Sequence, residues 1–255
     1  MIKYRKYGSR PFQIAVIHGG PGAPGSLQSL ALFLEKQGGV LEPMQSKKTI
    51  SGQIKELREL LLEEGTVPAV LVGHSWGAWL AYLLAADYPG LVSRLILIGT
   101  GPFQDTYLPE LEAEREKRMS RAKKQKLEQL RNNIHDPASF QKLGEIMSRI
   151  DSWAPLPGEN RAIAYQPWIF NSIMEQLGKM RSEGSLLDAG RKIKCPVVVI
   201  HGVYDPHPFK GVIEPLQAVI SHLDYFLLEN CGHYPWLEKE ARTRFWAIME
   251  KVLRG

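Results

Sequence analysis

The chain reads as an α/β protein, with a mostly parallel sheet covered by helices on both faces. Three observations predict this. Several short stretches are apolar without interruption, as strands buried on both sides must be. The stretches between them carry apolar residues three and four positions apart, the spacing of amphipathic helices. The two patterns alternate from one end of the chain to the other, with a single long interruption.

Met1-Ile2-Lys3-Tyr4-Arg5-Lys6-Tyr7 is charged and strand-like, and Phe12–Ile17 is a short apolar strand that runs into His18-Gly19-Gly20-Pro21-Gly22. Ser26 to Gln37 places Leu27, Leu30, Ala31 and Leu34 on one helical face, and Gly38-Gly39 ends it. Val40 to Pro43 is a short strand. Ser51 is expected to cap a second helix whose inner face is Ile54, Leu57, Leu60 and Leu61, closed by Gly65. Ala69 to Val72 and Val92 to Ile98 are buried strands on either side of a helix that ends near Tyr88-Pro89-Gly90. After the interruption come the strand Cys195–Ile200, a helix around Ile213–Ile220, the strand Asp224–Leu228 and a final helix from Glu238 to Leu253.

The interruption spans residues 103–190. Charge rises there, valine thins out, and helical stretches are broken at His135-Asp136-Pro137, Ala154-Pro155-Leu156-Pro157-Gly158 and Tyr165-Gln166-Pro167. It reads as an all-helical cap inserted into a core made of residues 1–102 and 191–255.

Composition bounds the function. At 255 residues with 44% hydrophobic and 23% charged side chains, the chain can bury a large core and has an ordinary globular balance. No apolar run approaches the ~18 residues of a membrane span, and the N-terminus lacks the apolar centre of a secretory signal, so the expected location is cytoplasmic. Cys195 and Cys231 are read as buried free thiols. The net charge of +5 is mild. Eight Lys or Arg lie between Arg115 and Arg131, preceded by Glu110, Glu112 and Glu114. Acids first and bases later suit a helix dipole, so a solvated helix accounts for the run, and no nucleic-acid partner is expected.

The chemistry begins at Gly73-His74-Ser75-Trp76-Gly77, which lies between a buried strand and a helix. A G-x-S-x-G turn in that setting is a nucleophile elbow, with the serine strained and its hydroxyl raised above the sheet. A serine hydroxyl needs a base. In parallel α/β sheets functional groups collect beyond the carboxyl ends of strands. Two such loops carry what is missing: His201-Gly202-Val203-Tyr204-Asp205-Pro206-His207 follows one strand, and Asn230-Cys231-Gly232-His233 follows the next. Ser75 is the candidate nucleophile, His233 its base, and Asp205 the acid that fixes the histidine tautomer. Trp76, directly after the nucleophile, and Gly20, in the early glycine-rich loop, are the candidate amide donors of an oxyanion hole.

Other residues take plainer roles. His18 and His74 are expected to make structural hydrogen bonds. His207 is the one rival to His233, ranked lower because it shares the acid's own loop. His135 and His222 are expected at the surface. Trp76, Trp79, Trp153, Trp168 and Trp236 are available to line an apolar pocket, with core packing as the default. No His-Glu-x-x-His or Cys-x-x-Cys spacing occurs, nor a phosphate-cradling glycine motif, so neither a metal nor any other cofactor is expected.

With those residues in place the chain resembles the α/β-hydrolase superfamily. His18-Gly19-Gly20-Pro21-Gly22 together with Ser75-Trp76-Gly77 is similar to the proline iminopeptidase-like branch, although His74 stands where that branch often has glycine. The resemblance implies a cap after the sixth core strand and hydrolysis of a small ester or amide through an acyl-enzyme. It also implies acidic cap residues that would hold a substrate amine, for which Glu145, Asp151, Glu159 and Glu175 are available. Two other readings use the same frame: hydrolysis of a carbon–carbon bond or a lactone, and a small-molecule receptor with little turnover. Oligomeric state is not legible.

Overall fold

The computed structural model describes residues 3–156 and 164–254. Seven strands form one sheet: β1 (Tyr4–Tyr7), β2 (Phe12–Ile17), β3 (Gly39–Pro43), β4 (Ala69–His74), β5 (Val92–Ile98), β6 (Val197–Gly202) and β7 (Leu223–Leu228). Their spatial order is β1-β3-β2-β4-β5-β6-β7. Only β1 runs antiparallel, pairing Tyr4 with Pro43 and Tyr7 with Val40; every other pair is parallel.

The uninterrupted apolar runs are explained by burial on both faces. Along β4, β5 and β6, Leu71, Leu95, Leu97, Val197 and Val199 point to one side. Val72, Ile96, Ile98, Val198 and Ile200 point to the other. The first layer is closed by α2 (Ile50–Glu64) and α3 (Trp76–Asp87), through Ile54, Leu57, Trp79 and Tyr82. The second is closed by α1 (Gln28–Leu34) and α10 (Arg242–Arg254), through Leu30, Leu34, Phe245 and Met249. Helix α3 is buried from Trp76 to Ala86, so its sequence is apolar all round rather than striped.

Several boundaries differ from expectation. Thr49, not Ser51, caps α2: its extended backbone turns Oγ1 onto the Gly52 amide at 3.1 Å. Helix α1 is shorter than its apolar pattern. Helix α9 (Lys210–Gln217) begins before Ile213 and accommodates Pro215. Helix α10 starts at Arg242 because the preceding residues form a 3₁₀ turn, Pro235–Leu237, and Glu238 is engaged elsewhere.

Between β5 and β6 lie α4 (Leu108–Lys117), α5 (Arg121–Asn132), α6 (Pro137–Ile150), α7 (Pro167–Ser182) and α8 (Ser185–Asp188), with no strand among the described residues. Counted along this chain, the insertion follows the fifth strand, since three strands precede β4. The basic α5 turns Leu127 and Leu130 inward and keeps its cations exposed. Residues 157–163, which include the Pro157-Gly158 break and Glu159, lie outside the described residues. No described helix is long and apolar enough to cross a membrane. Both thiols are free and buried, and burial pushes Cys195 up to about 11 and Cys231 higher still.

Candidate active site

Ser75 sits at the turn from β4 into α3 with φ 54° and ψ −119°, a left-handed backbone that is costly for a residue with a Cβ. The turn is held by the Ser75 amide, which donates to the Ile98 carbonyl at the end of β5 (3.0 Å). It is also possible only with glycine at both flanks. A Cβ on Gly73 would lie 2.3 Å from the Gly77 carbonyl, and one on Gly77 would lie 2.0 Å from that of Ile17. The strand order places β2 beside β4, so the loop after β2 lies directly on the elbow. A Cβ on Gly19 would come within 2.8 Å of Ser75 Cβ and 2.9 Å of the His74 carbonyl.

β6 and β7 deliver the other two groups side by side. His233 Nδ1 lies 2.7 Å from Asp205 Oδ2, and both side chains are buried. The His233 ring is tilted against His74 at 4.8 Å between centroids, and His74 Nε2 is 3.0 Å from the His233 carbonyl. His74 is therefore a structural brace, as its sequence position implied. Ser75 Oγ itself makes no hydrogen bond among the described residues.

Asp205 has more partners than a simple relay needs. Its Oδ1 accepts from the His207 amide (3.0 Å) and lies 2.7 Å from His207 Nδ1. His201 Nε2 is 2.8 Å from the His207 carbonyl and 3.6 Å from Asp205 Oδ2. His207 also stacks on His233, 4.6 Å between centroids at 27°. Burial pushes the Asp205 carboxyl up, but His233, His207 and His201 more than offset this and hold it well below the usual carboxylate range. Burial disfavours a charged His233, yet the Asp205 carboxylate prevails and raises its pKa above the ordinary value. Burial lowers His207, to about 4, and His201, so of the three imidazoles around Asp205 only that of His233 is raised. Donor atoms of Asp205, His207 and His233 lie within 4.8 Å of one another, a spacing that would suit a metal ion. Here they are spent on one another at hydrogen-bond distance.

The β5–β6 insertion is tied to the loop after β7 and to the loop after β2. The His233 amide donates to the Asp151 carbonyl (2.8 Å). Glu238, fully buried, accepts from Gly232 N (2.9 Å), Trp153 N (2.8 Å) and Ala154 N (2.7 Å), stapling the insertion to the histidine loop. On the opposite side the Gln166 amide donates to the Gly22 carbonyl (2.8 Å). The Asp151 carboxylate is held in a fork by Arg115 of α4, Nε at 2.9 Å and Nη2 at 2.5 Å.

A sequence-family model described as the alpha/beta hydrolase family matches residues 18–245. The chain belongs to this family. Mouse "sn-1-specific diacylglycerol lipase ABHD11" is 33% identical to this hydrolase over 104 residues, a match that covers 36% of this chain and 34% of the mouse protein. The chain thus spans about a third of that relative's length. Among solved structures, VinJ superposes with a TM-score of 0.72 at 20% identity, covering 98% of this chain and 94% of VinJ. Proline iminopeptidase from Mycobacterium smegmatis superposes with a TM-score of 0.65 at 15% identity, covering 98% and 93%. At such identities these likenesses show the fold. The mostly parallel sheet with helices on both faces is the alpha/beta-hydrolase arrangement predicted from the sequence.

The structure brings Ser75, Trp76, Gly20, Asp205 and His233 to one end of the sheet, on the loops after β4, β2, β6 and β7. His207 stands closer to the pair than its place on the acid's loop implied. His135 and His222 are exposed. Of the tryptophans, Trp76, Trp79 and Trp236 are buried, while Trp153 and Trp168 are 46% and 49% exposed, which removes both from the expected core. Sequence reasoning missed Glu238 and Arg115. A glutamate near a helix start and an arginine in a charged helix carry no signal beyond ordinary helix electrostatics.

Proposed function

We propose that this alpha/beta hydrolase is a serine hydrolase that cleaves small esters without a free amine, through an acyl-enzyme on Ser75. The observation that carries the reading is the buried Asp205–His233 pair at 2.7 Å, set at the ends of β6 and β7 beside a strained serine elbow. In the reaction His233 Nε2 takes the Ser75 proton as Oγ attacks the substrate carbonyl, and then gives that proton to the departing alcohol. Asp205 stays ionised throughout and stabilises the imidazolium. Water then attacks the acyl-enzyme by the same route in reverse. The link from Ser75 Oγ to His233 Nε2 closes when substrate orders the hydroxyl.

Negative charge on the carbonyl oxygen is met by the amides of Trp76 and Gly20. Trp76 is the first residue of α3, so its N–H has no carbonyl four residues earlier in the helix. Gly20, at φ 51°, lies in the loop seated on the elbow. Each such donor is worth roughly 3–4 kcal/mol of barrier in other enzymes. We read the β5–β6 insertion, residues 103–190, as a cap over this site.

The state of the cap acids favours esters over amino-terminal peptides. Asp151 is neutralised by the Arg115 fork, and Glu145 is exposed with Lys142 3.7 Å away. Glu175 is exposed. None of these three offers a buried, unpaired carboxylate to a substrate ammonium group. A panel of p-nitrophenyl esters of increasing acyl length beside aminoacyl anilides tests the reading. Esters should turn over and the anilides, proline included, should not. A preference for anilides bearing a free amine would overturn it.

A further inference from the structure

Gln45 follows β3, where nothing in the sequence marks it, yet its surroundings are built with unusual care. It is 3% exposed and adopts φ +46°, a left-handed backbone that is costly for a residue with a Cβ. Its side-chain amide spans two segments that are distant in sequence. Nε2 donates to the His18 carbonyl at 2.9 Å, and Oε1 accepts from the Trp76 indole N–H at 2.9 Å. Only one orientation of the amide satisfies both partners, because a carbonyl only accepts and an indole N–H only donates. Gln53 of α2, 1% exposed, backs the arrangement: its Oε1 lies 3.1 Å from the same indole nitrogen, and its Nε2 donates to the Lys47 carbonyl at 2.8 Å.

We infer that Gln45 is a positioning residue, one that fixes the distance between the two halves of the oxyanion hole by tying the loop of His18-Gly19-Gly20 to Trp76. The inference rests on the hydrolase reading above, in which Gly20 and Trp76 supply the amides. His18 lies two residues before Gly20, and the indole belongs to the same residue, Trp76, as the second amide. One planar amide group therefore holds both donor segments, without touching substrate. The strained backbone at Gln45 fits this role: strain at functional sites persists where surrounding bonds over-determine the conformation. A merely structural residue at this turn would better be glycine, which adopts such φ values without penalty.

That contrast supplies the test. Gln45→Gly relieves the strain but removes the tether and leaves the His18 carbonyl without its partner, so it should fold with a somewhat lower melting temperature and lose activity at temperatures well below that melting point. Gln45→Glu keeps the shape but turns the donor to His18 into an acceptor. Removing a whole oxyanion donor costs about 10²–10³ in kcat. Loosening two donors should cost less, about 10–100-fold in kcat, with KM changed by no more than about twofold. Affinity for a boronic acid, which forms a tetrahedral adduct on the serine, should fall by the same factor as kcat/KM. The rate at which a fluorophosphonate labels Ser75 is measured alongside. Labelling of wild type with slower labelling of both variants supports the tether. Wild-type labelling and turnover in a folded Gln45→Gly protein would overturn it while leaving the hydrolase reading intact. An unlabelled wild type would overturn both.

Discussion

Replacing Arg115 with methionine should unsettle both the β5–β6 insertion and the loop that carries His233. Arg115 grips the Asp151 carboxylate through two short contacts, 2.9 and 2.5 Å, and the Asp151 side chain is only 5% exposed. Breaking a buried pair from one side leaves the other charge stranded, at about 3–5 kcal/mol. Because the Arg115 side chain is itself 23% exposed, the lower end applies, about 3 kcal/mol. For a chain of this size that is a fall in Tm of roughly 6–12 °C. Asp151→Leu should cost less, because the freed guanidinium can swing its head toward water along an apolar stem. Removing both charges together, Arg115→Met with Asp151→Leu, should recover stability to within about 1 kcal/mol of wild type. Since the Asp151 carbonyl accepts from the His233 amide, the single Arg115 variant should also lose turnover that the double variant partly regains. Calorimetry and ester hydrolysis on the four proteins complete the cycle. A single variant that melts within 2 °C of wild type, or a double variant as unstable as the arginine single, would refute this reasoning.

Further outcomes follow from the same geometry. The acid limb of kcat/KM should have its midpoint above the ordinary histidine value, since His233 must be neutral to act and Asp205 raises its pKa. Asp205→Asn should move that midpoint down and lower kcat by about 10⁴, and an unmoved midpoint would contradict the pairing. His207 titrates at about 4 in the folded protein against 6.5 when free, so below 6.5 the unfolded chain takes a proton that the fold refuses. Its contribution to stability is complete above that value and is lost as pH falls toward 4, on the order of 3 kcal/mol. His207→Gln should therefore lose less stability than wild type between pH 7 and 4.5 in urea titrations. Gly22→Ala would place a Cβ 2.3 Å from the Gln166 carbonyl at φ +89°. It should cut kcat/KM at least tenfold by prising the insertion from the glycine loop, and a fully active variant would show that this contact is idle.

Much of the fold was legible because both sheet faces are buried, so Leu71-Val72 and Leu95-Ile96-Leu97-Ile98 had to be apolar without a break. The elbow was legible for a steric reason, since Gly73 and Gly77 stand where no side chain fits. That Asp205 and His233 would meet was legible from their places after two later strands, which lie side by side in the sheet. What sequence concealed are groups whose roles depend on partners far along the chain. Glu238 binds amides at Trp153, Ala154 and Gly232, and Gln45 joins His18 to Trp76; neither carries a local pattern. The α2 cap was misplaced by two residues because Thr49 and Ser51 are both capping types, and the backbone angles select the intrinsically weaker Thr49.

The central claim is that Ser75 is the nucleophile served by His233. Intact-mass analysis after brief exposure to a fluorophosphonate tests it most directly, on wild type, Ser75→Ala and His233→Ala. The account predicts a single adduct on wild type, mapped to Ser75, with none on the alanine variant and slow labelling when the imidazole is gone. An adduct that persists in Ser75→Ala, or labelling that ignores the loss of His233, would contradict it.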